Sequence, residues 1–216
     1  MPFSLVNPRM VRAEVAPGQR LFNQRGAMLA YTGSVTFTPS ITGGQGGVRG
    51  MIGRRVAGES VPLMAVEGSG TVLFGHGGHG VHVVDLAGET LYVEADRLLA
   101  FDGTLRQGTV FLGAQGGVMG LVRGQATGQG LFTTTLQGKG SVAVLAHGGV
   151  LELPITPDRP VHVDPQAYVA HRGEVRNRLT TAIGWREMVG RGSGEGFQLQ
   201  LSGSGAVYVQ ASEEKL

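Results

Sequence analysis

An internal repeat with a spacing of seventy residues limits what this chain can fold into more than any other feature. Segment 20–33, RLFNQRGAMLAYTG, aligns without gaps with TLYVEADRLLAFDG at 90–103 and PVHVDPQAYVAHRG at 160–173. Ala30, Ala100 and Ala170 fall in register, as do Gly33, Gly103 and Gly173 and the apolar trios Leu21/Leu91/Val161 and Leu29/Leu99/Val169. A second block recurs as well. Gly58–Val61, Gly128–Leu131 and Gly194–Phe197 each open an apolar run. Each run leads into a Gly-x-Gly (Gly68/Gly70, Gly138/Gly140, Gly203/Gly205) and a further run, TVLFG, SVAVLA or AVYVQA. The chain therefore reads as three copies of one glycine-punctuated unit of about seventy residues.

The runs read as strands. Leu199 and Leu201 alternate with Gln198, Gln200 and Ser202, which places the apolar side chains on one face. Val142, Val144 and Ala146 sit in a more uniformly apolar run, as in a strand covered on both sides. Glycine supplies 38 of 216 residues and charged residues only 16%, while the apolar fraction is 41%. Glycines recurring in register between short apolar runs mean turns, not linker, and the composition is that of an all-β sandwich or barrel. The Gly-x-Gly is read as a tight hairpin turn with positive φ. The best helix candidate, Leu179–Val189, carries Gly184 in its middle, and no helix is expected.

The order of the blocks suggests a closure. One repeat is split between 194–211 and 10–33; two are intact at 58–103 and 128–173; glycine-rich connections fill 34–57, 104–127 and 174–193. Completing the split copy requires the termini to pair, with Val11–Val15 beside Ala206–Gln210. The expectation is one closed body, residues 1–216, of three double-stranded β-helix or sandwich-like repeats in a pseudo-threefold arrangement. Such closure would remove open sheet edges.

Other features exclude function classes. The chain has no Cys, so disulfide frameworks, thiolate zinc sites and Cys nucleophiles are ruled out. Asn7, Pro8, Arg9 and Arg12 interrupt any signal-peptide core, and no apolar run reaches the roughly 20 residues of a membrane-spanning helix. A cytoplasmic protein without a transmembrane segment is expected. The net charge is +2, with Lys139 and Lys215 the only lysines, a weak footprint for nucleic acid.

The ending GSGEGFQLQLSGSGAVYVQAS, the central ATGQGLFTTTLQGKGSVAVLA and the turn before Leu99-Ala100-Phe101 resemble the bacterial relatives of the altered-inheritance-of-mitochondria (mitochondrial biogenesis) family. The resemblance covers nearly the whole chain. It implies a fold like that of the tryptophan RNA-binding attenuation protein, with three units per chain arranged like subunits of that ring. It brings no catalytic residues. Gln129 stands where the other copies carry Glu59 and Glu195, so no function of those carboxylates is common to all three.

Several polar clusters are candidates for a site. His76, His79 and His82, with Asp85 beyond, can ligate a transition metal. A β-helix scaffold suggests a cupin-like metal-dependent enzyme, but cupin histidines stand at i and i+2, and the bland alternative is a histidine-rich turn. The Gly43–Gly50 run lacks the Lys-Ser/Thr and the helix of a phosphate loop and reads as a connection. Arg172, Arg176, Arg178 and Arg186 surround Trp185, a pattern compatible with nucleic acid, although Glu174 and Glu187 dilute its charge. RNA binding therefore rests on fold analogy alone and is disfavoured. Met51, Ile52, Met119, Leu121 and Met188 recur in the connections and suit an interaction surface. No nucleophile elbow or other catalytic group emerges. The leading expectation is a non-enzymatic structural or interaction protein without a cofactor, assembling as a homo-oligomer, its protein partner unspecified.

Overall fold

A computed structural model describes residues 2–40, 62–111, 132–180, 198–214 and 216. The described residues are all-β apart from one short 3-10 turn, Ala95–Arg97. The strands are β1 (Phe3–Asn7), β2 (Met10–Val15), β3 (Arg20–Gln24), β4 (Met28–Pro39) and β5 (Leu63–Phe74). After them come β6 (Gly80–Glu94), β7 (Leu98–Asp102), β8 (Arg106–Phe111) and β9 (Phe132–Ala146). The last are β10 (Val150–Ile155), β11 (Val161–Val163), β12 (Tyr168–Thr180) and β13 (Gln198–Gln210). All thirteen belong to one antiparallel sheet. No helix among the described residues is long and apolar enough to cross a membrane.

Three long strands organise the sheet. β5 has β2 and β3 on one side and β4 on the other. β9 has β6 on one side and β7 with β8 on the other. β13 has β10 and β11 on one side and β12 on the other. Opposite the C-terminal end of each long strand, the register slips by one residue at the same place: Met28/Ala30, Leu98/Ala100 and Tyr168/Ala170. A bulge of this kind bends the strand and re-aims the side chains that follow.

The Gly-x-Gly segments are bends within continuous strands and not the hairpin turns expected from sequence. Gly68, Gly138 and Gly203 have φ of 126°, 130° and 125°, and the strand runs on through each of them. At Gly68 and Gly203 a methyl group would land on the carbonyl oxygen of Ser34 and Glu174 respectively, so close strand approach also demands glycine.

The predicted pairing of the termini is not formed. Val11–Val15 pairs with Phe74–Gly70 on one side and with β1 on the other, while Ala206–Gln210 lies between β10 and β12. Each long strand folds back onto the strands just before it, and such local contacts close far shorter loops than one joining the two ends of the chain. Among the described residues the sheet order runs from β1 to β10 without returning on itself. Parts of the expected connections are also strand: β4 extends to Pro39, β8 spans Arg106–Phe111 and β12 reaches Thr180.

The core follows the alternation read from sequence. Val11, Ala13 and Val15 are buried while Arg12 and Glu14 are exposed. Leu199 and Leu201 are buried on β13, and the whole run Ser141–Ala146 of β9 is buried, as a strand covered on both sides requires. Three apolar clusters result, centred on β2–β5, on β6–β9 and on β10–β13. Residues of the second group enter the first cluster (Leu99, Ala143, Leu145), and Val169, Ala170 and Tyr208 of the third enter the second. Neighbouring groups therefore share their cores.

Candidate functional site

Two seams join these groups of strands. At the first, β3 meets β7, with Leu21 opposite Asp102, Phe22 opposite Phe101 and Asn23 opposite Ala100. At the second, β6 meets β12, with Leu91 opposite Arg172, Tyr92 opposite His171 and Val93 opposite Ala170. Among the described residues, the second seam gathers a network of buried and half-buried polar groups.

Its buried layer is an aromatic and imidazole stack. The rings of Tyr92 and His171 lie 4.5 Å apart with planes within 6°. The Tyr168 hydroxyl stands 3.0 Å from the Tyr92 carbonyl oxygen and 2.7 Å from His171 Nδ1. One arrangement satisfies both contacts: the hydroxyl donates to the carbonyl and Nδ1–H donates to the hydroxyl oxygen. That tautomer leaves Nε2 as a bare acceptor, and Nε2 is indeed buried without a partner. Burial lowers the His171 pKa from 6.5 to about 4, so the ring is neutral at ordinary pH. Burial likewise pushes the Tyr168 hydroxyl well above the usual phenol range, helped by the nearby Glu94 charge.

Above this layer Arg172 gathers two carboxylates. Its Nη2 donates to Glu152 Oε1 at 2.7 Å and its Nη1 to Glu89 Oε1 at 3.2 Å, and its guanidinium lies 5.9 Å from the centre of the Tyr208 ring. The hydrogen bond to Glu152 is the largest cause raising the Arg172 pKa. The Glu89 carboxyl is held below its usual range by backbone N–H groups of Glu89 itself and Ala87, with Arg172 adding to them. Burial lifts the Tyr208 hydroxyl to about 12. Beside this group opens a cleft of about 910 Å³, lined by Glu89, Tyr92, Gln137, Glu174, Arg176 and Ser204 among others. Its wall carries both charge signs, with Glu89 and Glu174 beside Arg176.

A buried clamp also ties the same two groups together. Arg97 is 1% exposed. Its Nε donates to Glu94 Oε2 at 2.6 Å, its Nη1 to Gln210 Oε1 at 2.5 Å and its Nη2 to the Gln166 carbonyl at 3.1 Å. Gln210 Nε2 lies within bonding distance of the carbonyls of Gln166, Ser212 and Glu214, and His147 N–H donates to Gln210 Oε1. A buried guanidinium satisfied on all three nitrogens is a structural anchor.

The predicted metal histidines occupy different surroundings. His76 and His79 sit in the turn between β5 and β6, where His79 packs edge-on against His147 at 4.5 Å. Burial chiefly, then the neighbouring charges of His147, His76 and Arg97, lower the His79 pKa. His82 lies on β6 with its ring 5.7 Å from Tyr208, and burial lowers its pKa against the opposing pull of Glu152. Among the described residues no three His, Asp or Glu side chains are arranged to hold a metal ion.

Of the arginine group, Arg172 is engaged with its two carboxylates, Arg176 and Arg178 are exposed along β12, and Arg186 lies outside the described residues. So do Met51, Ile52, Met119, Leu121 and Met188, together with Glu59 and Glu195. Sequence reasoning missed Arg97, Gln210 and His171. For Arg97 a signal was available, because the seventy-residue register sets it where the other copies have Ala27 and Ala167. His171 likewise falls at the register position of Tyr31 and Phe101, an aromatic position.

Fold and seams together define an all-β protein whose single antiparallel sheet is organised around three long bent strands. The chain belongs to the family described as Mitochondrial biogenesis AIM24, whose profile matches residues 3–212, as the sequence resemblance implied. Among solved structures it is similar to protein SPYM3_0169 from Streptococcus pyogenes, at 21% identity and a TM-score of 0.72, over 97% of this chain and 92% of that one. This likeness concerns the fold. No curated protein matches the chain.

Proposed function

We propose that the chain is a non-enzymatic structural and interaction protein of the cytoplasm that associates with itself. It is built from three tandem copies of one unit, in a phase different from that expected from sequence: residues 10–74, 80–146 and 150–210. What supports the units is the strand pairing, in which β5, β9 and β13 have the same neighbours on the same sides. The pseudo-threefold arrangement enters in modified form. Each unit meets the next through the end of its inner strand and the start of the next unit's outer strand, and among the described residues β4 and β11 have no such partner.

The observation that carries self-association is an exposed apolar strand. Met28, Leu29 and Tyr31 are 38%, 50% and 49% exposed, whereas their counterparts Leu98, Leu99 and Phe101, and Tyr168, Val169 and His171, are at most 1% exposed. The polar groups at the seams serve structure in this reading: buried Arg97 and His171 hold units to one another, and Arg172 adds a weaker, partly exposed pair. Light scattering on the purified chain over a range of concentrations tests it. Masses at multiples of 22.5 kDa are expected, and a strictly monomeric chain at every concentration would refute it.

A further inference from the structure

We propose that self-association is head to tail, with β11 of one copy pairing antiparallel to the beginning of β4 of the next and Tyr31 stacking on His162 across the contact. This rests on the assembly reading above and specifies its surface, register and contact rings.

The chain contains the same joint twice. At the first seam Leu21, Phe22 and Asn23 face Asp102, Phe101 and Ala100; at the second Leu91, Tyr92 and Val93 face Arg172, His171 and Ala170. Each joint centres on one ring pair: Phe22 and Phe101 stack at 5.1 Å, Tyr92 and His171 at 4.5 Å. Adding seventy residues to the inner strand and stepping back to the first unit for the outer one predicts a third joint. Val161, His162 and Val163 would face Thr32, Tyr31 and Ala30. Its ring pair is His162 with Tyr31.

Both halves of that third joint are present and separate. β4 pairs with β5, and β11 pairs with β13, but the two strands do not pair with each other. His162 is exposed, and Tyr31 makes only an edge contact with Phe37 at 5.6 Å among the ring contacts of the described residues. The tail unit also carries an uncovered apolar residue on β10: Leu151 is 59% exposed, while its counterparts Val11 and Val81 are 0% and 7%. An inner-strand edge at the tail and an outer-strand edge at the head are different surfaces that complement each other. Such a heterologous contact continues the seams already in the chain, and it builds a ring where the turn per copy closes and a filament where it does not. Uncovered edges of this kind are otherwise an aggregation hazard.

Cysteine pairing tests the register, aided by the absence of natural cysteine. Directly opposed residues on antiparallel strands lie about 4.5–5.5 Å apart at Cα, within disulfide reach. Tyr31→Cys and His162→Cys are prepared separately and mixed under mild oxidation. A covalent dimer is expected in the mixture and in neither variant alone, and the double variant should give a ladder of covalent oligomers. An internally bridged monomer from the double variant would overturn the proposal by placing the joint within one chain. Dimerisation of Tyr31→Cys alone would overturn it by showing a symmetric contact. Oligomers by light scattering with no crosslink in the mixture would overturn the register while leaving self-association standing, and a monomeric native chain would remove both. Tyr31→Ser, with unchanged melting temperature as a check on folding, should lower the mass seen by light scattering; an unchanged mass would count against the joint.

Discussion

Tyr92 and His171 lie face to face across the second seam, their rings 4.5 Å apart and tilted by only 6°. The equivalent pair at the first seam, Phe22 and Phe101, is purely apolar. The ring pair of the second seam therefore holds an imidazole where that of the first holds only phenyl rings, and this makes the second joint sensitive to acid.

Folded His171 titrates near 4, against 6.5 when free. Between those values the unfolded chain binds a proton that the folded chain refuses. Its contribution is complete above pH 6.5 and is lost as pH falls toward 4. At 1.36 kcal/mol per unit the loss amounts to about 3 kcal/mol. His171→Phe, which copies the first seam, should flatten the fall of the urea midpoint between pH 6.5 and 4. Some slope will remain, because the pKa values of His79 and His82 are lowered in the same direction. An identical slope in the variant would show that His171 is not the group responsible.

Arg97 and Arg172 are both paired with carboxylates, but burial separates their energetics. Truncating Arg97 leaves Glu94 and Gln210 without their buried partner, and a cost of about 3–5 kcal/mol is expected for Arg97→Ala. Denaturant unfolding measures it. A loss below about 1 kcal/mol would mean that water replaces the guanidinium.

Arg172 is only partly buried, with Glu152 still more accessible to solvent. Exposed pairs of this kind contribute about 0–1 kcal/mol. Arg172→Ala should therefore cost little, and the difference from the parent should shrink in high salt. A loss matching that of Arg97→Ala would instead mean that the contact with the Tyr208 ring, more than the ion pairs, holds Arg172 in place.

Gly68 and Gly78 both have positive φ, at 126° and 72°, but only Gly68 has a neighbour in the way. Gly78→Ala should cost about 1–2 kcal/mol, the penalty for a side chain in the left-handed region. Gly68→Ala must also displace the Ser34 carbonyl and so should cost clearly more. Equal melting temperatures for the two variants would contradict the close strand approach.

Legibility followed the range of the forces involved. The strands of β2, β9 and β13 were readable because alternation and apolar runs are local properties of the chain. Bends at Gly68, Gly138 and Gly203 were readable as positive φ but not as bends, since glycine permits a hairpin turn and a kinked strand alike. The site was less legible. The histidines at 76, 79 and 82 stand out in sequence, yet the structure invests its buried polar contacts in His171, Arg97 and Gln210, whose partners come from distant strands.

The sequence by itself determined the repeat, its seventy-residue register and the all-β class, because spacing and side-chain alternation are written along the chain. Only the tertiary structure decided which strands pair, and it does not join Val11–Val15 to Ala206–Gln210. The same residues 10–33 complete a unit equally well, on sequence grounds, with 194–211 or with 63–74. Strand pairing chose the nearer partner, where loop closure costs less entropy. It also left Tyr31 and His162 on open edges, apart from each other, which no periodicity could have revealed.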